Sequence, residues 1–255
     1  MQNSHKWVTR FRLKSGSWVY VPTDETLREG RILKKIVAHK WKAPANYFHL
    51  RDGGHVEALR YHAGAQYFIR ADIKKFFNSI NRSRITRELK PYFGYEKARQ
   101  IAMESTASIQ TQSGQIFALP FGFPQSTILA SLCLSKSRLG KTLERINSTP
   151  NMRVSVYVDD IIISCDKLEA SLALLAEIEN AACRSAFTLN TAKLEGPAQT
   201  IGAFNIALTS TSLLIQDWRL QELKKLYDSS DSENQKTGIA SYVKSVNSIQ
   251  AAIFP

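Results

Sequence analysis

Val154-Ser-Val-Tyr-Val-Asp-Asp-Ile-Ile-Ile-Ser164 decides how this chain is read. Val154, Val156 and Val158 alternate with Ser155 and Tyr157, the period-two pattern of a half-buried strand. Ile161 to Ile163 reads as a buried return strand, so Asp159 and Asp160 are expected at a hairpin turn. On a straight strand neighbouring side chains point to opposite faces, whereas at a tip two carboxylates can share one site. Such a pair is unfavourable until a cation neutralises it, and hard carboxylate oxygens suit Mg²⁺. A metal-binding catalytic turn and a solvated surface turn both fit the dipeptide. A third carboxylate, a nucleotide pocket and a basic track elsewhere would separate them.

The basic track is a matter of distribution. Residues 1–100 carry 21 Lys and Arg against 8 Asp and Glu, a net of +13, while residues 101–255 carry 13 against 14. Excess positive charge confined to one part of a chain is the footprint of polyphosphate binding, though a basic face kept for solubility has the same composition. The 255 residues suffice for one large domain, with no apolar run of membrane-spanning length and no apolar leader after Met1. Cys133, Cys165 and Cys183 lack metal-ligand spacing and read as buried free thiols. These features predict a cytoplasmic protein.

Working outward, residues 7–22 read as a hairpin around Lys14-Ser-Gly-Ser17, with Arg10, Arg12 and Lys14 along it. Residues 24–41 read as a helix capped by Thr23 or Asp24, with Leu27, Ile32, Leu33, Ile36 and Val37 as its apolar stripe. His62 has no ligand partner at metal spacing and reads as a packed histidine. Tyr67 to Ile73 is a strand with apolar residues at 67, 69, 71 and 73, so Asp72 faces the other way and supplies the third carboxylate. Residues 83–110 are expected to be mainly helical, and a loop over 117–126 to open a long helix from Thr127 to about Arg145. That helix N-terminus offers unpaired N–H groups to a phosphate or base. A surface helix follows at 168–182, then a strand and turn at 187–193 and a strand at 200–206. Two amphipathic helices close the chain, one on Leu220, Leu223 and Leu226, the other on Ile239, Tyr242, Val243, Val246 and Ile249.

Taken in order, these stretches resemble the reverse transcriptases, in particular the compact prokaryotic ones of retrons and defence-associated systems. Arg70-Ala-Asp-Ile-Lys-Lys-Phe-Phe-Asn-Ser-Ile80 resembles that family's first aspartate motif, and Gly122-Phe-Pro-Gln-Ser126 its nucleotide-pocket loop. Tyr157-Val-Asp-Asp160 resembles its signature turn, Leu189-Asn-Thr-Ala-Lys193 its lysine motif, and Ile201-Gly-Ala-Phe204 its primer-gripping strand. The resemblance implies an α+β right-hand polymerase, with fingers at 1–66 and 81–118 and a palm with an antiparallel sheet at 67–80 and 119–210. Residues 211–255 would form a reduced thumb.

The resemblance also implies roles. Asp72 and Asp159 would bridge two Mg²⁺ (or Mn²⁺) ions about 3.5–4 Å apart, with Asp160 assisting and the Ile73 carbonyl as an extra ligand. Phe77 would lie under the sugar and exclude a 2′-hydroxyl, unless it is simple core packing. Gly122 and Pro124 would shape the loop, and Gln125 would line the pocket for the incoming base pair. Lys193 would carry positive charge, or a proton, to the leaving pyrophosphate; a solvated lysine is the competing reading. The second strand of the N-terminal hairpin, Ser17-Trp-Val-Tyr-Val21, lacks the family's basic residue, so Arg10, Arg12 or Lys14 is expected to substitute in contacting the triphosphate.

Expected partners are an RNA template, such as a dedicated non-coding RNA, together with DNA product and dNTPs, and no membrane. Residues 211–255 hold five basic and five acidic residues, which suggests that a second copy or a partner protein compensates for the thumb. The implied activity is RNA-directed DNA synthesis in antiviral defence. Template-independent or protein-primed synthesis, or an inactive RNA-binding scaffold, are the alternatives.

Overall fold

The computed structural model describes residues 6–13, 18–111 and 114–254. In chain order the elements are β1 (Trp7–Arg12), β2 (Trp18–Pro22), α1 (Asp24–Lys40), α2 (Gly54–Arg60), β3 (Tyr67–Asp72), α3 (Arg82–Phe93) and α4 (Tyr95–Ser105). There follow β4 (Ala107–Thr111), β5 (Gly114–Ala118), α5 (Ser126–Lys136), α6 (Arg138–Asn147), β6 (Arg153–Tyr157), β7 (Asp160–Cys165), α7 (Leu168–Arg184) and β8 (Glu195–Ala198). The last part holds β9 (Ile201–Ala203), β10 (Ile206–Leu208), β11 (Leu213–Ile215), α8 (Asp217–Asp228), α9 (Glu233–Val246) and α10 (Ser248–Ala251). This mixture of helices and antiparallel sheets is the α+β class expected.

The organising sheet is four-stranded and antiparallel, ordered β6-β7-β3-β8. Alternation divides its side chains cleanly. Ile69, Ala71, Ile73, Val154, Val156, Ile161 and Ile163 face one core, shared with Leu129 and Leu132 of α5, Leu143 of α6 and Leu174 and Ile178 of α7. Phe68 and Ile162 face a second core with Val56 and Leu59 of α2, the β9–β11 strands, and Leu223, Val243, Val246 and Phe254. Each fully buried Leu, Ile or Phe contributes about 1.5–3 kcal/mol, so neither face can be left bare. Ser155 and Ser164 also lie on the second face, where the fully buried His62 reaches both hydroxyls, Nε2 to Ser155 at 2.8 Å and Nδ1 to Ser164 at 2.7 Å. His62 is thus a packed, fully satisfied histidine. Burial pushes its pKa down to about 3, which keeps it neutral.

Several sequence expectations are corrected. Residues 107–110 are not helical: β4 pairs with β5 from Ala107↔Ala118 to Thr111↔Gly114, a cross-strand stabilisation that no local propensity announces. The long helix breaks in two at Ser137, whose Oγ accepts the Gly140 N–H at 3.1 Å and starts α6. Residues 200–206 hold a tight turn, and β9, β10 and β11 form a separate three-stranded sheet. In α1, which Thr23 caps, Ile32 and Ile36 are exposed while Val37 is buried. Cys133 and Cys165 are buried but Cys183 is exposed. Leu226 and Ile249 are exposed as well. The turn at Lys14–Ser17 lies outside the described residues. No described helix is long and apolar enough to cross a membrane.

Candidate active site

Tyr157 pairs with Asp160, so the β6–β7 connection consists of Val158 and Asp159 alone. Asp159 therefore sits in the turn, but Asp160 opens β7 rather than sharing the tip, because a two-residue connection has no room for it. Asp160 is instead brought opposite Asp72, its partner at the end of β3 and on the same face of the sheet. Ile73 donates its N–H to the Asp159 carbonyl at 2.9 Å, fastening the turn to the end of β3. Val158 has φ 62°, a left-handed conformation that costs a β-branched residue about 1–3 kcal/mol and persists only where surroundings enforce it.

The three carboxylates have different partners. Asp72, 3 % exposed, receives Lys193 Nζ on Oδ2 at 2.7 Å and Asn190 Nδ2 on Oδ1 at 3.1 Å, while the Asn190 N–H donates to its carbonyl at 2.8 Å. That contact raises the Lys193 pKa. Arg70 donates to Asp160 Oδ1 from Nε at 3.2 Å and Nη2 at 3.1 Å. Its Nη1 meets the Gly202 carbonyl at 2.7 Å and Glu195 at 3.5 Å. Burial raises the Asp160 pKa against the opposing pull of Arg70. Asp159 has no salt bridge among the described residues, and burial, then repulsion by Asp160 and Asp72, lifts its pKa to about 6.

Surplus negative charge on hard oxygens is what a divalent cation relieves, and the donor chemistry of Asp72, Asp159 and Asp160 fits one. The described residues hold no ready-made group of three His, Cys, Asp or Glu side chains at metal-holding distance. Lys193 is paired with Asp72 and Arg70 with Asp160.

In the first aspartate motif, Phe76 is 2 % exposed while Phe77 is only partly buried, its ring 5.6 Å from that of Phe121. Gly122 has φ 113°, and a Cβ there would stand 2.2 Å from the Tyr20 carbonyl, so only glycine lets the loop pass β2. The Tyr20 N–H donates to the Phe121 carbonyl at 2.8 Å, joining hairpin and loop. Pro124 and Gln125 both lie against Gly30 of α1. Gln125 is 3 % exposed, with Ser105 3.5 Å from its Nε2 and no partner for its Oε1 among the described residues. It is therefore packed beneath the loop rather than lining an open pocket, because α1 closes over it. Arg12 lies on the exposed strand β1, opposite Trp18 of β2, and Lys14 is outside the described residues.

Sequence reasoning passed over Arg70, Asn190 and His49. Arg70 stands two residues before Asp72 and so on the same strand face, a signal that was there to use. His49 carried none: it meets Val158 across 109 positions of chain.

An antiparallel sheet with carboxylates at the adjoining ends of its central strands fits the right-hand polymerase fold class. Residues 26–203 match the family model described as Reverse transcriptase (RNA-dependent DNA polymerase), and the chain belongs to that family of nucleotidyltransferases. No curated protein matches the chain. Among solved structures, telomerase from Candida albicans, in complex with a fragment of telomeric RNA, is similar at a TM-score of 0.53 and 11% identity. That match covers 90% of this chain and 47% of the telomerase. The foamy viral protease-reverse transcriptase in complex with double-stranded DNA gives 0.51 and 15%, covering 91% of this chain and 34% of that one. At these identities the likeness is one of fold, and the chain spans less than half of either relative.

Proposed function

We propose that this chain extends a primer with dNTPs on an RNA template, using Asp72, Asp159 and Asp160 as its catalytic carboxylates. The observation that carries the reading is the pairing of Asp72 with Asp160 at the strand ends, with Asp159 in the turn beside them. Family membership supports the activity, and the separate charge partners support separate roles. Asp72 and Asp159 would hold two divalent ions, Mg²⁺ or Mn²⁺, with Asp160 and the Ile73 carbonyl assisting. When bound, such ions lower the pKa of the primer hydroxyl and neutralise the triphosphate and departing pyrophosphate.

The remaining work falls to the chain itself. Lys193 keeps its proton at Nζ and would offer its positive charge to the leaving pyrophosphate. Phe77 offers a ring face under the sugar, where its bulk excludes a 2′-hydroxyl. Gly122 and Pro124 shape the loop, with Gln125 packed against α1 behind it, and Arg10, Arg12 or Lys14 meets the triphosphate. Fingers at 1–66 and 81–118, palm at 67–80 and 119–210, and a reduced thumb at 211–255 remain the division we favour. The motif resemblance supports a prokaryotic, cytoplasmic enzyme of antiviral defence acting on a non-coding RNA, with a second copy or partner protein assisting the thumb.

Primer extension by purified protein, with each dNTP and rNTP supplied separately, tests this. Product is expected to require template and to discriminate against rNTPs, and Asp159→Ala is expected to abolish it. Phe77→Val is expected to relax sugar discrimination at least tenfold; unchanged dCTP-over-rCTP preference would refute the gate. Product from one dNTP without template would point to template-independent synthesis.

A further inference from the structure

His49 lies in the short turn Phe48–Leu50, far from every motif, yet its ring touches the Asp159 turn. Val158 donates its backbone N–H to His49 Nδ1 at 2.9 Å. A backbone N–H can only donate, so Nδ1 is the bare nitrogen and the ring proton sits on Nε2. Nε2 lies 2.7 Å from Ser131 Oγ, whose own hydroxyl donates to the Thr127 carbonyl at 2.8 Å. The direction of each bond from α5 to the turn is thereby fixed. The Val156 carbonyl, 3.3 Å from Nδ1, finds no proton there. Tyr157 packs edge-on against the ring, with centroids 5.8 Å apart.

We propose, resting on the polymerase reading above, that His49 is a positioning residue. As its Nε2–H tautomer it holds Val158 in the left-handed turn, sets the Asp159 carboxylate, and ties that carboxylate to the helix behind the Gly122–Gln125 loop. The N–H it accepts is that of the strained residue itself, immediately before Asp159. Burial keeps the ring neutral, holding its pKa down to about 4.

Three substitutions separate positioning from packing. The Asn carboxamide oxygen takes the place of Nδ1, the longer Gln carboxamide takes that of Nε2, and Phe keeps only ring volume. His49→Gln and His49→Phe are expected to lower kcat about 10- to 100-fold with KM for dNTP within about threefold, the range for groups that orient a metal ligand. His49→Asn is expected to recover most of that loss, although Asn and Gln variants melt at similar temperatures. Equal kcat in the Asn and Gln variants, or losses that follow the melting temperatures, would overturn the proposal. The ring ¹⁵N spectrum of the wild-type protein supplies a readout independent of turnover: Nε2–H is expected, and Nδ1–H would overturn the proposal. A wild-type protein that makes no product would sink the polymerase reading, with the ring spectrum and Val158 amide exchange in His49→Gln still deciding this one.

Discussion

Two tight hairpins meet beside the candidate site, and neither turn contains a glycine. The β6–β7 hairpin turns through Val158-Asp159 and β9–β10 through Phe204-Asn205, with Tyr157 and Phe204 in ring contact at 5.2 Å. In the second turn both residues have positive φ, 55° and 63°, the geometry that two-residue connections favour and that Asn tolerates. In the first, Val158 alone takes positive φ, against its chemistry. The second turn is fastened by a chain neighbour, the Gln216 N–H donating to the Asn205 carbonyl at 2.9 Å. The first is fastened from far away, by His49 and by Ile73. The contrast teaches that the backbone of the turn bearing a carboxylate is held by residues 86 and 109 positions away, whereas that of its neighbour is held by a residue only 11 positions on.

The largest effect should come from the first turn. Asp159→Asn is expected to lower primer extension by about 10³-fold, the upper range for removing one electrostatic group, while Asn205→Ala stays within about tenfold. Comparable losses in a primer-extension assay would erase the distinction between the turns.

A smaller effect concerns pH. The folded-state pKa of Asp159, about 6, lies above its ordinary value, so folding favours the protonated form. Its contribution to stability is complete below about pH 4 and is lost as pH rises through 6. In chelator, Asp159→Asn should therefore out-melt the wild type by a margin that widens by about 5–10 °C between pH 4 and 7. Added divalent cation should close the gap. A margin independent of pH in thermal melts would remove the charge surplus from the account.

The smallest effect belongs to the second turn. Asn205→Gly should shift the melting temperature by less than about 2 °C, since Gly and Asn both accept the left-handed region. A drop beyond about 5 °C would mean that this turn, too, is held by its side chain.

The same contrast governs what could be read from sequence. The 154–164 hairpin was legible because alternating β-branched residues bracket two acids, and Asp72 because strand parity set it opposite the apolar residues at 67, 69, 71 and 73. The Phe204-Asn205 turn was passed over because it lacks the glycine that usually marks such connections. Strand β4 was hidden because Ala107–Thr111 gains its conformation from pairing with β5. Burial of Gln125 depends on Gly30, 95 positions earlier, leaving room for it, and no local pattern encodes that.

The terminal helices share their apolar interior with Phe68 and Ile162 of the main sheet and with Leu59 of α2. They are consequently a lining, not a lever. Any travel of this segment during a catalytic cycle must be a slide of oily surfaces over one another. A truncation that removes it would strip the far side of the sheet and yield a sticky remnant instead of a smaller enzyme.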